Sequence, residues 1–171
     1  MEIIIPGLIL VALMVWASTK IKRHAAKAFE AERIEGDGFA LEKPDGFLNR
    51  RYDNSDLLFD AYSKDYGTGN ASNVRAATAV VFSSDESINE AASLEQSRLI
   101  DSDRSEKFEL GGAHCIIVTG NEERGGQKFS VSEKLLESDG RTLVLKIEAL
   151  EETTEELARK IERMLLSFSP R

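Results

Sequence analysis

The chain has 171 residues, 42% of them hydrophobic, with 22 Lys and Arg against 30 Asp and Glu for a formal net charge of −8. That length suits one domain with its own core and a short extension. Seventeen of the basic and 27 of the acidic residues lie from residue 35 onward, leaving that part near −10, a charge that phosphate backbones repel and that argues against nucleic acid as a partner.

The first element in chain order is apolar. Residues Ile3 to Ala17 carry no charge, and Ser18 and Thr19 extend the run to about 17 residues, the short end of what a helix needs to cross hydrocarbon. A buried core helix would show a polar stripe every 3.6 residues, and none is present. A cleaved signal peptide would need a basic start, whereas Glu2 is the only charged side chain before the run. The expectation is an uncleaved signal-anchor over residues 1–19, with Ile3, Leu8 and Leu13 in the bilayer and Trp16 at its interface.

Lys20, Lys22, Arg23 and Lys27 follow the run as a basic flank suited to anionic headgroups. By the positive-inside rule they predict a single-pass protein of the inner (plasma) membrane with its C-terminal domain in the cytoplasm. Residues 20–35 are rich in Ala, Lys and Glu and predict a helical stalk ending at Gly36. The acidic domain then occupies residues 36–171.

Within it, Phe39 to Pro44 reads as a short strand and Lys43-Pro44-Asp45-Gly46 as a turn. Leu57 to Tyr66 fits either a helix or a strand, and Arg75 to Ser83 reads as a buried strand. Glu86 to Ile100 predicts a helix begun by Ser84 or Asp85, with Ile88, Ala91, Ala92 and Leu99 turned inward. Lys107–Leu110, Gly111-Gly112 and His114–Thr119 predict a hairpin, Asn121–Gly126 a turn, and Gln127–Glu137, Asp139-Gly140 and Arg141–Leu150 a second hairpin. In the last strand Leu143, Leu145, Ile147 and Ala149 share one face, against Thr142, Val144, Lys146 and Glu148 on a partly wet one. Thr153 with Glu156 forms a capping box before a helix whose Leu157, Ile161, Met164, Leu165 and Phe168 make one stripe. The fold class is therefore α+β, a single N-terminal transmembrane helix followed by an antiparallel sheet with a late four-strand meander and helices packed on it.

The strand from Gly38-Phe39 to Pro44-Asp45-Gly46, the late meander, and the closing helix ending in Leu165-Leu166-Ser167-Phe168 together resemble the PsbP-like α-β-α sandwich. The resemblance implies an accessory or assembly factor of a larger complex, in a fold without a shared catalytic set.

The residues themselves offer little chemistry. Adjacent His114 and Cys115 on a strand point to opposite faces, so they form no nucleophile–base pair. As the single cysteine, Cys115 excludes an intramolecular disulfide, which fits a cytoplasmic domain. Two histidines and one cysteine do not make a zinc site, and Asp101, Asp103, Glu106 and Glu109 lack the spacing of a calcium loop. Arg50, Arg51 and Tyr52, beside Asp53, form the densest polar cluster with an aromatic and could dock an acidic partner or a phosphate. The reading is a membrane-tethered, non-enzymatic interaction domain, an accessory or assembly subunit of a membrane-protein complex. It expects a lipid bilayer and a membrane protein as partners, with no cofactor, metal or nucleic acid. The alternative is a membrane-anchored small-ligand binder or enzyme.

Overall fold

The computed structural model describes the backbone of residues 4–50, 56–108 and 113–171, and the side chains of residues 11–22, 26–50, 56–105 and 113–171. The first helix, α1, runs Ile4–Ala28. Its side chains at Val11, Leu13, Met14, Val15, Trp16 and Ile21 are all exposed. Among the described residues no helix is long and apolar enough to cross a membrane. That overturns the expected single-pass transmembrane helix and the inner-membrane placement drawn from it. The reason lies in composition: the uncharged run ends at Thr19, short of the roughly 20 residues a span needs, and Lys20, Lys22 and Lys27 continue the same helix. The orientation argument loses its premise with the span. The side chains of Ile3, Leu8 and Arg23 lie outside the described residues.

The helical stretch expected to reach Glu35 stops at Ala28. Glu32–Glu35 is strand β1, paired with β2 (Phe39–Lys43) across the Gly36–Gly38 turn. Gly38 takes φ +80° there, in the left-handed region that glycine adopts freely. The predicted Pro44-Asp45-Gly46 turn leads into β3 (Phe47–Asn49), and the ambiguous segment after it resolves as β4 (Leu57–Ser63). A 3-10 turn at Gly69–Ala71 precedes β5 (Ala77–Ser84).

Helix α2 (Ile88–Arg98) starts later than expected, capped by Ser87, whose side chain accepts from the Glu90 N–H in a full capping box. The meander follows as β6 (Ile100–Phe108), β7 (His114–Arg124), β8 (Gln127–Ser138) and β9 (Arg141–Leu150). The predicted turn at Gly111-Gly112 lies outside the described residues. Helix α3 (Glu155–Ser167) is capped by Thr154 rather than Thr153, and β10 (Ser169–Pro170) closes the chain onto β2.

Seven antiparallel strands form one sheet in the order β3-β4-β5-β9-β8-β7-β6, and β1-β2-β10 form a second, smaller one. On one face of the large sheet, Ala61, Ala79, Val81, Leu143, Leu145 and Ile147 pack with Met164 and Phe168 of the α3 segment and with Phe39 and Leu41 of β2. The Phe39 and Phe168 rings lie 5.7 Å apart at 55°. The other face carries α2. The molecule is thus an α-β-α sandwich with the small sheet beside α3.

Two buried lysines fasten this core. Lys134 Nζ donates to the Phe168 carbonyl at 2.7 Å, at the C-terminal end of α3. Lys43 Nζ donates to Phe47 O at 3.0 Å and to Ala28 O at 3.3 Å, the last carbonyl of α1. A cation at a helix C-terminus satisfies carbonyls that have no partner within the helix. Burial pulls the Lys43 ammonium below the usual lysine range, and Glu32 at 3.8 Å opposes that only in part.

Candidate functional site

The site is the α2-bearing face of the large sheet. Strand register places Asp60, Val80, Lys146, Glu133, Val118 and Arg104 in one row across β4, β5, β9, β8, β7 and β6. Leu48, Tyr62, Thr78, Glu148 and Val131 form the next row. Because side chains alternate along a strand, each row presents its members to the same side.

Helix α2 covers one part of this face. Ile88, Ala91 and Ala92 pack on Ile116, Val118, Leu135 and Val144, with Phe82 and Leu99 at the margin. The described residues packed with α2 do not include Tyr62, Thr78 or Val80 of β4 and β5, which are partly exposed.

A cationic–aromatic ladder borders this open strip. The Arg75 guanidinium lies 4.4 Å from the Tyr62 ring centroid and 4.0 Å from that of Tyr66. Arg50 stands 5.1 Å from Tyr62 on the same ring. Each such contact contributes about 0.5–1 kcal/mol at an exposed position. Arg75 also donates to the carbonyls of Ser63 and Lys64 at 3.3 and 3.1 Å, which fixes its plane. Arg50 pairs with Asp60 at 3.5 Å; burial raises the Asp60 carboxyl pKa and Arg50 opposes the rise. On a domain with a large excess of acid, this strip is a local concentration of fixed guanidinium and phenol.

Between the strip and α2 runs an ion-pair network. Lys146 Nζ lies 3.3 Å from Glu133, 3.5 Å from Glu148 and 4.0 Å from Glu122. Arg124 pairs with Glu122 at 3.1 Å and with Glu148. Glu133 is fully buried, and neither carboxylate oxygen has a hydrogen-bond partner among the described residues. From α2, the nearly buried Glu95 holds Arg98 at 2.7 Å. Burial pushes Glu133 up to about 7, Glu95 adds to the rise and Lys146 opposes it. Burial also works against the Lys146 ammonium, but Glu133, Glu148 and Glu95 outweigh it and hold that lysine above its ordinary value.

An open cleft of about 500 Å³ lies at one end of the sheet, lined by Tyr66, Thr68, Lys128, Glu151, Thr154 and Leu157 among others. None of the buried, partnerless side-chain atoms of the described residues lines it.

Of the residues singled out in the sequence, Arg50 stands on the open strip, while Arg51 and Tyr52 lie outside the described residues. Leu13 and Trp16 are exposed on α1, and Lys20 Nζ sits 5.0 Å from the Trp16 ring; Lys22 and Lys27 are exposed on the same helix. Cys115 is in the core, and His114 faces the other way along β7. Asp101 and Asp103 lie on β6. Among the described residues no three His, Cys, Asp or Glu are grouped to hold a metal ion. The sequence reading did not single out Tyr62, Arg75, Glu95 or Glu133. The visible signal for Glu133 was a charged residue within a strand otherwise destined for burial.

No family model and no curated protein sequence matches the chain. Solved structures do. Cyanobacterial PsbP (CyanoP) from Synechocystis sp. PCC 6803 superposes with a TM-score of 0.60 at 10% identity, covering 84% of this chain and 94% of that one. LpqN of Mycobacterium tuberculosis gives 0.56 at 16% identity, covering 82% and 90%. A Pseudomonas aeruginosa protein of unknown function gives 0.52 at 13%, covering 83% and 98%. At such identities the likeness is one of fold, and the chain has the PsbP-like α-β-α sandwich.

Proposed function

We propose that this chain is a non-enzymatic interaction domain, an accessory or assembly subunit that docks a partner protein on the open strip of the sheet. The observation that supports this reading is the Arg50–Tyr62–Arg75–Tyr66 ladder beside a half-covered sheet face. Tyrosine and arginine are the residue types that dominate binding energy at protein interfaces. Here they are stacked in place beforehand, so docking loses little side-chain entropy. Two guanidinium groups on an acidic domain suit a partner that presents carboxylates at this face. LpqN is described as involved in cell envelope biogenesis, and its shared fold is compatible with such a subunit role without specifying a partner.

A photo-crosslinking amino acid in place of Tyr66, with a second version carrying it at the exposed Leu94 of α2, tests this in the native host. The expected result is a discrete cross-linked protein from position 66, absent from position 94 and lost in Arg75→Ala. No discrete species at 66, or the same species from both positions, refutes the assignment. A small-ligand reading has the 500 Å³ cleft in its favour. It gains ground only if a ligand co-purifies and protects the Gly67–Ala71 segment from exchange.

A further inference from the structure

The cleft of about 500 Å³ at the end of the sheet joins two chemistries. Ala71, Ala76, Leu150 and Leu157 line it and are buried, so its depth is apolar. Asp65, Glu151 and Glu152 line it and are exposed, so its mouth is acidic. Lys128 is the one lysine or arginine among the described lining residues, which leaves three carboxylates against one ammonium. Among the described residues no ion pair involves any of those three carboxylates. In the adjoining smaller cleft Asp45 and Glu156 hold Lys160 at 2.9 and 2.8 Å, with Lys64 beside them. Counting both clefts, and Arg75 on Tyr66 as well, the carboxylates remain in excess. The N-terminal end of α3 also reaches the cleft at Thr154, and a helix N-terminus favours anions. That pull is already answered, because Thr154 Oγ1 accepts from the Leu157 N–H at 3.3 Å and Glu155 and Glu156 stand in the first turn.

Exposed carboxylates alone would be an ordinary solvated face. Here they stand around a preformed apolar recess whose walls are tied across it. Thr68 Oγ1 donates to Glu152 at 3.5 Å, and the Glu151 N–H donates to Lys128 O at 3.1 Å. Tyr66 belongs both to this cleft and to the cationic–aromatic ladder, since its ring carries the Arg75 guanidinium at 4.0 Å. Cleft and ladder are therefore one continuous surface, basic on one side of Tyr66 and acidic on the other.

We propose that the cleft receives a lysine side chain of the partner that docks on the ladder, a role that rests on the docking reading above. Lysine has a four-carbon stem for the apolar lining and an ammonium for the carboxylates at the mouth. Those carboxylates come from two segments, Asp65 from just after β4 and Glu151-Glu152 from between β9 and α3. Such a spread suits a compact charge with three rotatable donors better than a planar guanidinium fork. The volume exceeds that of one side chain and leaves room for the backbone that carries it. The partner surface is thereby specified as mixed, with carboxylates for Arg50 and Arg75 and a lysine beside them.

Titration of the isotope-labelled full chain with N-acetyl-lysine methylamide, followed by nuclear magnetic resonance, tests the recess directly, with N-acetyl-norleucine methylamide as the uncharged control. The Gly67, Gly126 and Leu157 amides are expected to shift saturably with the lysine probe at about millimolar concentration. Binding is expected to be about fivefold weaker for the norleucine probe, and for the lysine probe in a chain carrying Glu151→Gln and Glu152→Gln. A second arm places the photo-crosslinking amino acid at Thr68, where the expected product is the same species that position 66 captures. A cross-link at 66 without a saturable lysine shift overturns this inference and leaves the docking reading standing, whereas no cross-link at 66 overturns both. Equal binding of the two probes overturns the lysine assignment. Saturable lysine binding with no species captured at 68 overturns the partner assignment and gives the cleft to a free amine.

Discussion

Replacing Glu133 by Gln removes a carboxyl that the folded state holds at about 7 and the unfolded chain releases near 4.5. Between those values the folded protein binds a proton that the unfolded one has lost, so wild-type stability falls as pH rises through the interval and is level above it. At 1.36 kcal/mol per pH unit the full loss is about 3 kcal/mol, a sizeable share of the stability of a domain this size. Glutamine keeps the shape and cannot ionise. Lys146 retains Glu148 at 3.5 Å and Glu122 at 4.0 Å, so its ammonium is not stranded by the change. Urea unfolding of both chains at pH 5 and pH 8 isolates the effect, because every other titrating group is common to the two. The mutant is expected to gain about 2–3 kcal/mol relative to wild type on going from pH 5 to pH 8. Parallel pH profiles, or a mutant less stable than wild type at pH 8, refute the reasoning.

Other positions give sharper structural tests. Phe168→Ala empties a fully buried site against Phe39 and lowers stability by about 4 kcal/mol, read as a drop in Tm of about 10 °C. Gly120→Ala puts a methyl 2.8 Å from Leu99 Cβ and 3.1 Å from Ile100 O, so it displaces the α2–β6 connection and costs about 1–3 kcal/mol in chemical denaturation. Thr154→Ala costs about 1 kcal/mol by leaving the Leu157 N–H without its cap. Arg75→Ala changes stability by less than that of Phe168→Ala yet abolishes the position-66 cross-link.

The meander was legible because alternation and the Asp139-Gly140 turn fix register locally, and the α3 stripe because 3.6-residue spacing is visible in a single segment. Strand β1 was not legible. Glu-Arg-Ile-Glu has good helix formers, and only pairing with β2 makes it extended. The start of α2 was misplaced although Ser87 and Glu90 spell the capping box that the structure uses. The apolar run of α1 was read as long enough to span, but the charges that continue the same helix decide otherwise. The site was least legible of all. Tyr62 and Arg75 stand 13 positions apart and meet only through the β4–β5 pairing, and Glu133 comes to lie on the α2 side of the sheet only through the packing of that helix on β7 and β8.

The small sheet has a consequence for how the chain comes to be folded. Strand β2 is made well before its second neighbour, β10, and the Glu42 N–H finds the Ser167 hydroxyl at a separation of 125 residues. Phe39 and Leu41 therefore wait, with one side unsheltered, until nearly everything between has been made. A long-range closure of this kind is slow to form and sensitive to interruption. Ribosome-bound fragments lacking Ser169-Pro170 should accordingly be captured by holdase chaperones and released once those two residues emerge.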